Sequence, residues 1–388
     1  MALRTMRGTP AARSPPASGD PSQDLRTEET VEERTRRRPR IADVAREAGV
    51  SKTAVSFAFN SPDRLAPETA SRIRDVADSL GYRPHPVARM LTQRSTHTVG
   101  VLTPQALSVI FSNPFFGAFS EGVALAAEQE GYALHFISPL HGSLARAMGR
   151  ATVDGVVAVG LSADHPEVEQ IRAAGLPLVM VDSSALPDQP GVEIDDEGGA
   201  RTAAEHLLQL GHRDILIVGV EPPTPGGLVE PEGVTGRRMR GYVAALAAKG
   251  VELPSGAVVV APASIEGGIA AMRRAWEDGL RPTGVLAMSD AMAIGVLRAA
   301  RELGLRVPED ISVVGFDDID ISQHTNPPLT TVHQPIRRKG ESAVRLLLSV
   351  VQRRDLPPQQ LRLETRLIVR GSTGPVPRRR QEVSRTRH

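Results

Sequence analysis

From Thr98 onward the sequence alternates short, continuous apolar runs with helical patterns, and this alternation limits the fold more than any other feature. Strands that are apolar along their whole length are typical of parallel sheets covered by helices on both faces. About 270 residues is long for one such sheet, so an α/β core of two doubly wound lobes is expected. The predicted strands are 99–102, 133–137, 155–159, 178–181, 215–218, 258–260, 284–288 and 311–316, and the predicted helices are 115–129, 198–210, 236–248, 291–303 and 335–351.

Residues 39–83 have a different pattern, which predicts three short helices. Apolar residues recur at helical spacing from Ile41 until Gly49 breaks the first helix. Ser51 stands where the N-cap of a second helix belongs, and a third helix ends at Gly81. A tight turn between the first two of three short helices is the helix-turn-helix pattern, whose second helix enters the major groove of DNA.

The remaining segments flank these two parts. Residues 1–38 are rich in Pro, Ser and mixed charges and predict a disordered N-terminal arm. Residues 84–97 contain two prolines and a few apolar residues, which predicts a hinge helix or linker. The core then comprises residues 98–374, and residues 375–388 predict a disordered basic tail.

Charge is distributed unevenly along the chain. Residues 1–97 hold 17 Arg and Lys against 12 Asp and Glu, whereas residues 98–374 hold 24 against 32. A basic N-terminal part on an acidic body indicates an anionic partner such as nucleic acid, although a solvated basic tail would give the same balance.

Several classes of protein are excluded or disfavoured. No apolar stretch approaches the ~18 residues of a membrane helix, and the N-terminus lacks the apolar region of an export signal, so we expect a cytoplasmic location. There are no cysteines, and the ten histidines show no metal-ligand spacing. Phosphate-binding, nucleophile-elbow and zinc-protease motifs are absent, so we expect no enzyme, metal or cofactor.

Two segments carry a specific resemblance. IADVAREAGVSKTAVSFAFN at 41–60 and LGYRPHPVARML at 80–91 closely resemble the LacI/GalR family of bacterial transcription regulators. The resemblance covers about residues 40–372 and continues through SNPFF at 112–116, GHR at 211–213, SD at 289–290, VGFD at 314–317 and LTTVHQP at 329–335. It implies a helix-turn-helix headpiece, a hinge helix and a core like that of periplasmic sugar-binding proteins. It also implies a homodimer that binds a near-palindromic operator, with an affinity that a small effector controls.

The resemblance also implies which residues bind DNA. Lys52, Thr53 and Phe57 face base edges from the second helix, where a Phe in place of the usual polar residue suits a thymine methyl. Burial of Phe57 against the third helix is the alternative. Ser51, Ser56, Asn60 and Arg64 are placed to position phosphates.

The hinge matches the family at Arg89 and Leu91. The resemblance implies that two hinge helices pair in the minor groove, where Leu91 is expected to be the apolar wedge that opens a base step. Packing of Leu91 onto the core is the alternative.

By the same resemblance, an effector lies between the lobes, at the carboxyl ends of the strands. Aromatic walls and polar groups suit a sugar or polyol, and a nucleobase would suit them too. An Asp at a strand end is often a helix cap, which is the alternative role for Asp182 and Asp290. The residues implied in the effector site are Phe115, Phe116, Asp182, Arg238, Asp290 and Asp317.

Two other functions remain open at this point. A solute-binding protein would share the core, but it needs an export signal and no helix-turn-helix. An α/β enzyme acting on a sugar or nucleotide needs a catalytic constellation that the sequence does not contain.

Overall fold

The structure, a computed structural model, describes residues 39–83, 95–183, 188–221, 233–352 and 359–377. The chain divides into two compact units, Met1–Gln93 and Arg94–His388. The predicted arm, most of the predicted hinge, and Arg89 and Leu91 lie outside the described residues.

The N-terminal unit contains the three predicted helices. Ser51 caps the second helix, since the Ala54 N–H donates to its Oγ at 3.1 Å. Gly49 adopts a φ of 64°, which L-residues rarely adopt, and so allows the tight turn between the first two helices. Val44, Val55 and Ile73, one from each helix, are fully buried against one another. The helices are α1 (Ile41–Glu47), α2 (Lys52–Asn60), a 3₁₀ turn (Pro62–Arg64) and α3 (Pro67–Ser79).

The second unit contains two six-stranded sheets, one per lobe, which confirms the predicted α/β class. The first sheet has the strand order β11-β5-β4-β3-β1-β2, and all its pairs are parallel. Its central strand β3 is buried along its whole length, as the apolar run predicts. The strands are β1 (Thr98–Leu102), β2 (Ala133–Ile137), β3 (Gly155–Val159), β4 (Leu178–Val181), β5 (Gly191–Ile194) and β11 (Gln360–Leu363). The helices of this lobe are α4 (Leu107–Ser112), α5 (Pro114–Gln129), α6 (Leu144–Met148), α7 (Pro166–Ala173) and α12 (Ile336–Val351).

The second sheet has the order β12-β10-β9-β8-β6-β7 and is parallel except for the pair β10–β12. Its strands are β6 (Ile215–Val220), β7 (Val258–Ala261), β8 (Gly284–Ala287), β9 (Ser312–Asp317), β10 (Thr330–His333) and β12 (Arg366–Ile368). Its helices are α8 (Asp196–Gln209), α9 (Val234–Ala248), α10 (Ile265–Glu277), α11 (Asp290–Glu302) and a 3₁₀ turn (Asp320–His324).

The chain passes between the lobes three times: from β5 to α8, from β10 to α12, and from β11 to β12. The second crossing returns α12 to the first lobe, where it packs on α5. That packing is very close, because a Cβ added at Gly122 would lie 1.9 Å from the Arg337 carbonyl oxygen. The crossings therefore bring α12 and the end of β9 to the same crevice as β4.

The described structure continues three residues beyond the boundary expected at residue 374. The Val376 N–H donates to the Leu210 carbonyl at 2.9 Å. The His212 ring, fully buried, lies 3.0 Å from the Gly374 carbonyl. The segment is ordered because it completes hydrogen bonds at the end of α8.

Candidate functional sites

In the N-terminal unit, α2 presents a polar surface. Lys52 and Thr53 are exposed in its first turn, whereas Val55 and Ala58 are buried on the opposite face. The side-chain oxygen of Ser51 is engaged as the N-cap. The Lys52 ammonium and the Thr53 hydroxyl, both predicted to meet DNA, thus lie on the side of the helix that the three-helix core leaves open.

Phe57 lies on α2 and is half-buried. The guanidinium carbon of Arg64 lies 5.3 Å from the centre of its ring, a cation–π arrangement. The headpiece core uses Phe59 instead, whose ring packs at 6.0 Å from that of Tyr82. The structure therefore pairs Phe57 with Arg64 rather than with the core between the helices.

Ser56 and Asn60 form a local pair one turn apart, in which Asn60 Nδ2 donates to Ser56 Oγ at 3.2 Å. Both side chains are half-buried. Of the four residues predicted to position phosphates, Arg64 is the exposed cation, and Ser51 already caps α2.

In the second unit, Arg238 lies in the first turns of α9 and is buried. Its Nε donates to Asp196 Oδ1 at 2.9 Å, and its Nη1 donates to the Met288 carbonyl at 2.5 Å. The guanidinium carbon lies 3.6 Å from the centre of the Phe316 ring. Burial alone would lower the pKa of Arg238, but the carboxylates of Asp196 and Asp317 outweigh it and raise the pKa. The guanidinium is therefore a fixed charge.

Asp317 ends β9 and faces Arg238, with 3.6 Å between Oδ1 and Nη1. Gln334 Nε2 donates to the same oxygen at 2.6 Å. Asp317 has a φ of 124°, a strained backbone conformation that commonly marks functional sites. Burial raises the pKa of the Asp317 carboxyl to about 6, although Arg238 opposes the shift.

Asp182 follows β4 in the first lobe and has a φ of 55°. Both of its oxygens accept hydrogen bonds from Lys339 Nζ, at 2.7 and 2.8 Å. Lys339 also donates to Gln334 Oε1 at 2.6 Å. Since Gln334 bonds to Asp317, a continuous series of hydrogen bonds joins the predicted effector acids of the two lobes.

Asp290 has a different environment. Its carboxyl accepts hydrogen bonds from the Ile319 N–H at 3.0 Å, from Ser322 Oγ at 2.6 Å and from Thr331 Oγ1 at 2.5 Å. The N-cap of α11 is Ser289 rather than Asp290. Burial and then the neighbouring Asp317 raise the pKa of Asp290 to about 8. These contacts make Asp290 a brace for the segment after β9, and its backbone also forms a hydrogen bond with the Asp317 carboxyl.

Phe115 and Phe116 lie in the first turn of α5, which Asn113 caps through the Phe115 N–H at 3.0 Å. Their rings meet edge to face with 5.3 Å between centroids. Lys339 Nζ lies 5.3 Å from the centre of the Phe115 ring. Phe115 therefore lies beside Lys339, which bonds to Asp182 directly and is joined to Asp317 by Gln334. Asp317 in turn faces Arg238, so these predicted effector residues form one connected cluster.

Four residues of this cluster were not identified from the sequence: Asp196, Arg237, Gln334 and Lys339. Asp196 is fully buried and also accepts from Arg237, at 2.8 and 3.1 Å. In the sequence Asp196 is one of three consecutive acids, Asp195, Asp196 and Glu197, and nothing there distinguishes it from its neighbours. Gln334 lies inside the recognised LTTVHQP motif, and a lysine at an inward position of α12 was the available signal for Lys339.

A cavity of about 320 Å³ lies away from this cluster, at the amino ends of the first-lobe strands. It contains none of the predicted effector residues. Within the described ranges, no group of His, Asp and Glu is arranged to hold a metal ion. No helix in the same ranges is both long and apolar enough to cross a membrane.

A helix-turn-helix unit joined to a two-lobed parallel-sheet core defines a class of bacterial transcription regulators that respond to small molecules. Comparisons with known proteins agree. Residues 40–85 match the family of bacterial regulatory proteins named lacI, and residues 204–373 match the periplasmic binding protein-like domain.

The chain is 33% identical over 344 residues to the HTH-type transcriptional regulator CelR of Thermobifida fusca, an alignment that covers 87% of this chain and 99% of CelR. It is similar to the solved CelR–cellobiose complex, with a TM-score of 0.64 and 32% identity over 86% of this chain and 100% of that one. It is also similar to the lac repressor dimer bound to operator and the anti-inducer ONPF, with a TM-score of 0.72 and 25% identity over 87% and 100% of the two chains. The chain belongs to the lacI family of bacterial regulatory proteins and is a transcriptional regulator, as the motifs predicted. The relatives are regulators rather than enzymes, so this interpretation is supported over a solute-binding protein or an α/β enzyme.

Proposed function

We propose that this protein is a cytoplasmic repressor that binds a near-palindromic operator as a homodimer and changes its operator affinity when a sugar binds between the lobes. The observation that carries the proposal is the cluster of Asp182, Arg238 and Asp317 beside Phe115. Fixed acceptors and donors beside an aromatic wall suit a molecule with many hydroxyl groups and an apolar ring face. The cellobiose complex of the relative CelR supports the same class of effector.

For DNA, the proposal assigns base contacts to Lys52, Thr53 and Phe57, and phosphate contacts to Ser51, Ser56, Asn60 and Arg64. Arg89 and Leu91 act in the hinge. The Phe57 ring, which lies against the Arg64 guanidinium, makes apolar contact with a thymine methyl. We therefore expect an A·T pair at the matching operator position.

The effector contacts are assigned to Phe115, Phe116, Asp182, Arg238 and Asp317. Asp290 does not contact the effector in this proposal but braces the segment that directly follows Asp317. A hydrogen-bonding site of this kind discriminates strongly among ligands, because a partner left without its bond stays buried and unpaired.

The test is binding of the purified protein to labelled DNA from upstream of its own gene, with and without a panel that includes cellobiose, ribose and maltose. We expect a specific complex whose affinity changes with one sugar. Lys52→Ala should weaken the complex, whereas Lys249→Ala, which removes an exposed lysine from the core, should not. Equal effects of the two variants would contradict the DNA assignment, and an affinity that no sugar alters would contradict the effector class.

A further inference from the structure

The chain contains three lysines, and one of them is completely buried. Lys52 and Lys249 are exposed, whereas Lys339 is 0% exposed in the first turns of α12. Burying an ammonium group is costly unless the group is paired and hydrogen-bonded. The position of Lys339 therefore requires partners, and they lie in the crevice assigned to the effector.

The protein itself uses all three protons of the Lys339 ammonium. Two N–H groups bond to the two oxygens of Asp182, at 2.7 and 2.8 Å, and the third bonds to Gln334 Oε1 at 2.6 Å. An ammonium group has three donors and no acceptor. Lys339 consequently has no proton left with which to bind a ligand.

Unlike Lys339, Asp182 can still form further hydrogen bonds. A carboxylate offers about four lone-pair sites, and Lys339 occupies one on each oxygen. The backbone of Asp182 adopts the left-handed conformation, with a φ of 55°. The remaining sites can accept bonds from hydroxyl groups, while a ligand carboxylate or phosphate would face the charge of Asp182 with no free proton beside it.

We infer that Lys339 is a positioning and specificity-determining residue, which fixes Asp182 as an acceptor for hydroxyl groups and makes the crevice select uncharged sugars over acidic or phosphorylated ones. The inference rests on the proposed function, since it places the effector in the same crevice. Gln334 extends the arrangement, because its Nε2 donates to Asp317 at 2.6 Å. The acceptors of both lobes are thus held by one buried cation and one amide.

The first experiment frees the ammonium and offers acetate, the chemical equivalent of the removed carboxylate. In Asp182→Ala, Lys339 loses its counterion, so the melting temperature should fall. Acetate at 100 mM, compared with chloride at equal ionic strength, should raise it by several degrees more than in the parent, because an anion that binds only the folded state stabilises it. The double variant Asp182→Ala/Lys339→Met should show no such rise.

The matched control is Asp188→Ala, which removes a carboxylate from the exposed ion pair with Arg172 (2.6 Å). It should not respond specifically to acetate. An equal acetate response in all variants, or no response in a folded Asp182→Ala, would overturn the inference.

A measurement on the unaltered protein covers the case in which Asp182→Ala does not fold. Brief reductive methylation followed by peptide mass spectrometry should modify Lys52 and Lys249 and leave Lys339 unmodified. A Lys339 that reacts as fast as Lys52 in the native protein would show that it is not saturated by Asp182 and Gln334, and the inference would fail.

The selectivity itself is tested with matched probes: glucose and glucuronate, ribose and ribose 5-phosphate, cellobiose and cellobionate. The parent should be stabilised more by the neutral member of a pair, and Asp182→Ala should prefer the acidic member. Stronger stabilisation of the parent by acidic members would refute the inference. A sugar response without acetate rescue refutes the role of Lys339 alone. Acetate rescue without any sugar response refutes the sugar proposal and supports the placement of Lys339.

Discussion

Replacing Asp196 by Ala should destabilise the second lobe severely. Asp196 is 0% exposed and accepts three charge-assisted hydrogen bonds, from Arg237 at 2.8 and 3.1 Å and from Arg238 at 2.9 Å. The variant leaves two buried guanidinium groups without this counterion. Breaking a buried ion pair by removing one partner costs about 3–5 kcal/mol. With a urea dependence of about 3 kcal/mol/M, the unfolding midpoint should fall by about 1–1.7 M.

The chain contains both a fluorescent reporter of unfolding and a residue that serves as a matched control. Trp276 is the only tryptophan and lies in α10 of the second lobe, so its fluorescence reports unfolding of the affected part. The neighbouring Glu197 also pairs with two arginines, Arg201 at 3.0 Å and Arg240 at 3.2 Å, but at the surface. Glu197→Ala should therefore cost only about 0–1 kcal/mol. Equal shifts for the two variants would refute the argument that burial sets the energy of the Asp196 cluster.

Three further outcomes are expected. If the headpiece makes 6–10 phosphate contacts, operator affinity should fall by about 10³–10⁵ between 50 and 200 mM salt, and a flat response in a binding titration would contradict this. Asp317→Ala and Arg238→Ala should each weaken binding of the active sugar by about 2–3 kcal/mol in calorimetry, and unchanged affinity would remove them from the site. The pKa of Asp290 is raised in the folded state, so the stability that it contributes is complete below about pH 4 and is lost as the pH rises toward 8. The urea midpoint of Asp290→Asn should therefore approach that of the parent between pH 5 and 8, and a constant difference would contradict the shift.

Eight of the twelve strands that the structure describes were predicted, including the partly exposed edge strand β2, whose bounds are those of the predicted run at 133–137. Six of the eight (β1, β3, β4, β6, β8 and β9) are buried along all or nearly all of their length, and in β3, the predicted run at 155–159, every residue is buried. Such strands can be predicted from their own residues, because an unbroken apolar run needs no knowledge of distant parts of the chain. In contrast, β11 (QLRL) and β12 (RLI) alternate polar and apolar residues at the sheet edges, and the sequence analysis did not predict them. The largely buried strands β5 and β10 and the helices α4, α6, α7 and α10 were also not among the predicted elements, and for α4 and α6 few residues define the helical period.

The effector acids show a similar division. Motif resemblance located Asp182, Arg238 and Asp317, but not the partners that hold them. Lys339 and Asp182 are 157 positions apart in sequence and meet only because α12 crosses back to the first lobe. Asp196 serves Arg237 and Arg238 from the first turn of a different helix. Partners of this kind depend on topology, which residue type and local spacing do not encode.

The second crossing has a consequence for synthesis. The first lobe contains the first strands of the core, but it is completed last. Its helix α12 (Ile336–Val351) and its strand β11 (Gln360–Leu363) come near the C-terminal end of the core. During translation, α12 follows the end of β5 by about 140 residues. Strands β1–β5 therefore wait about 7–30 s for the helix that covers them, at typical elongation rates. The headpiece core, in contrast, lies within residues 41–82 and can form as soon as it emerges. A nascent chain halted before Ile336 would therefore contain a folded helix-turn-helix headpiece while the apolar face of the first lobe is still open to chaperones.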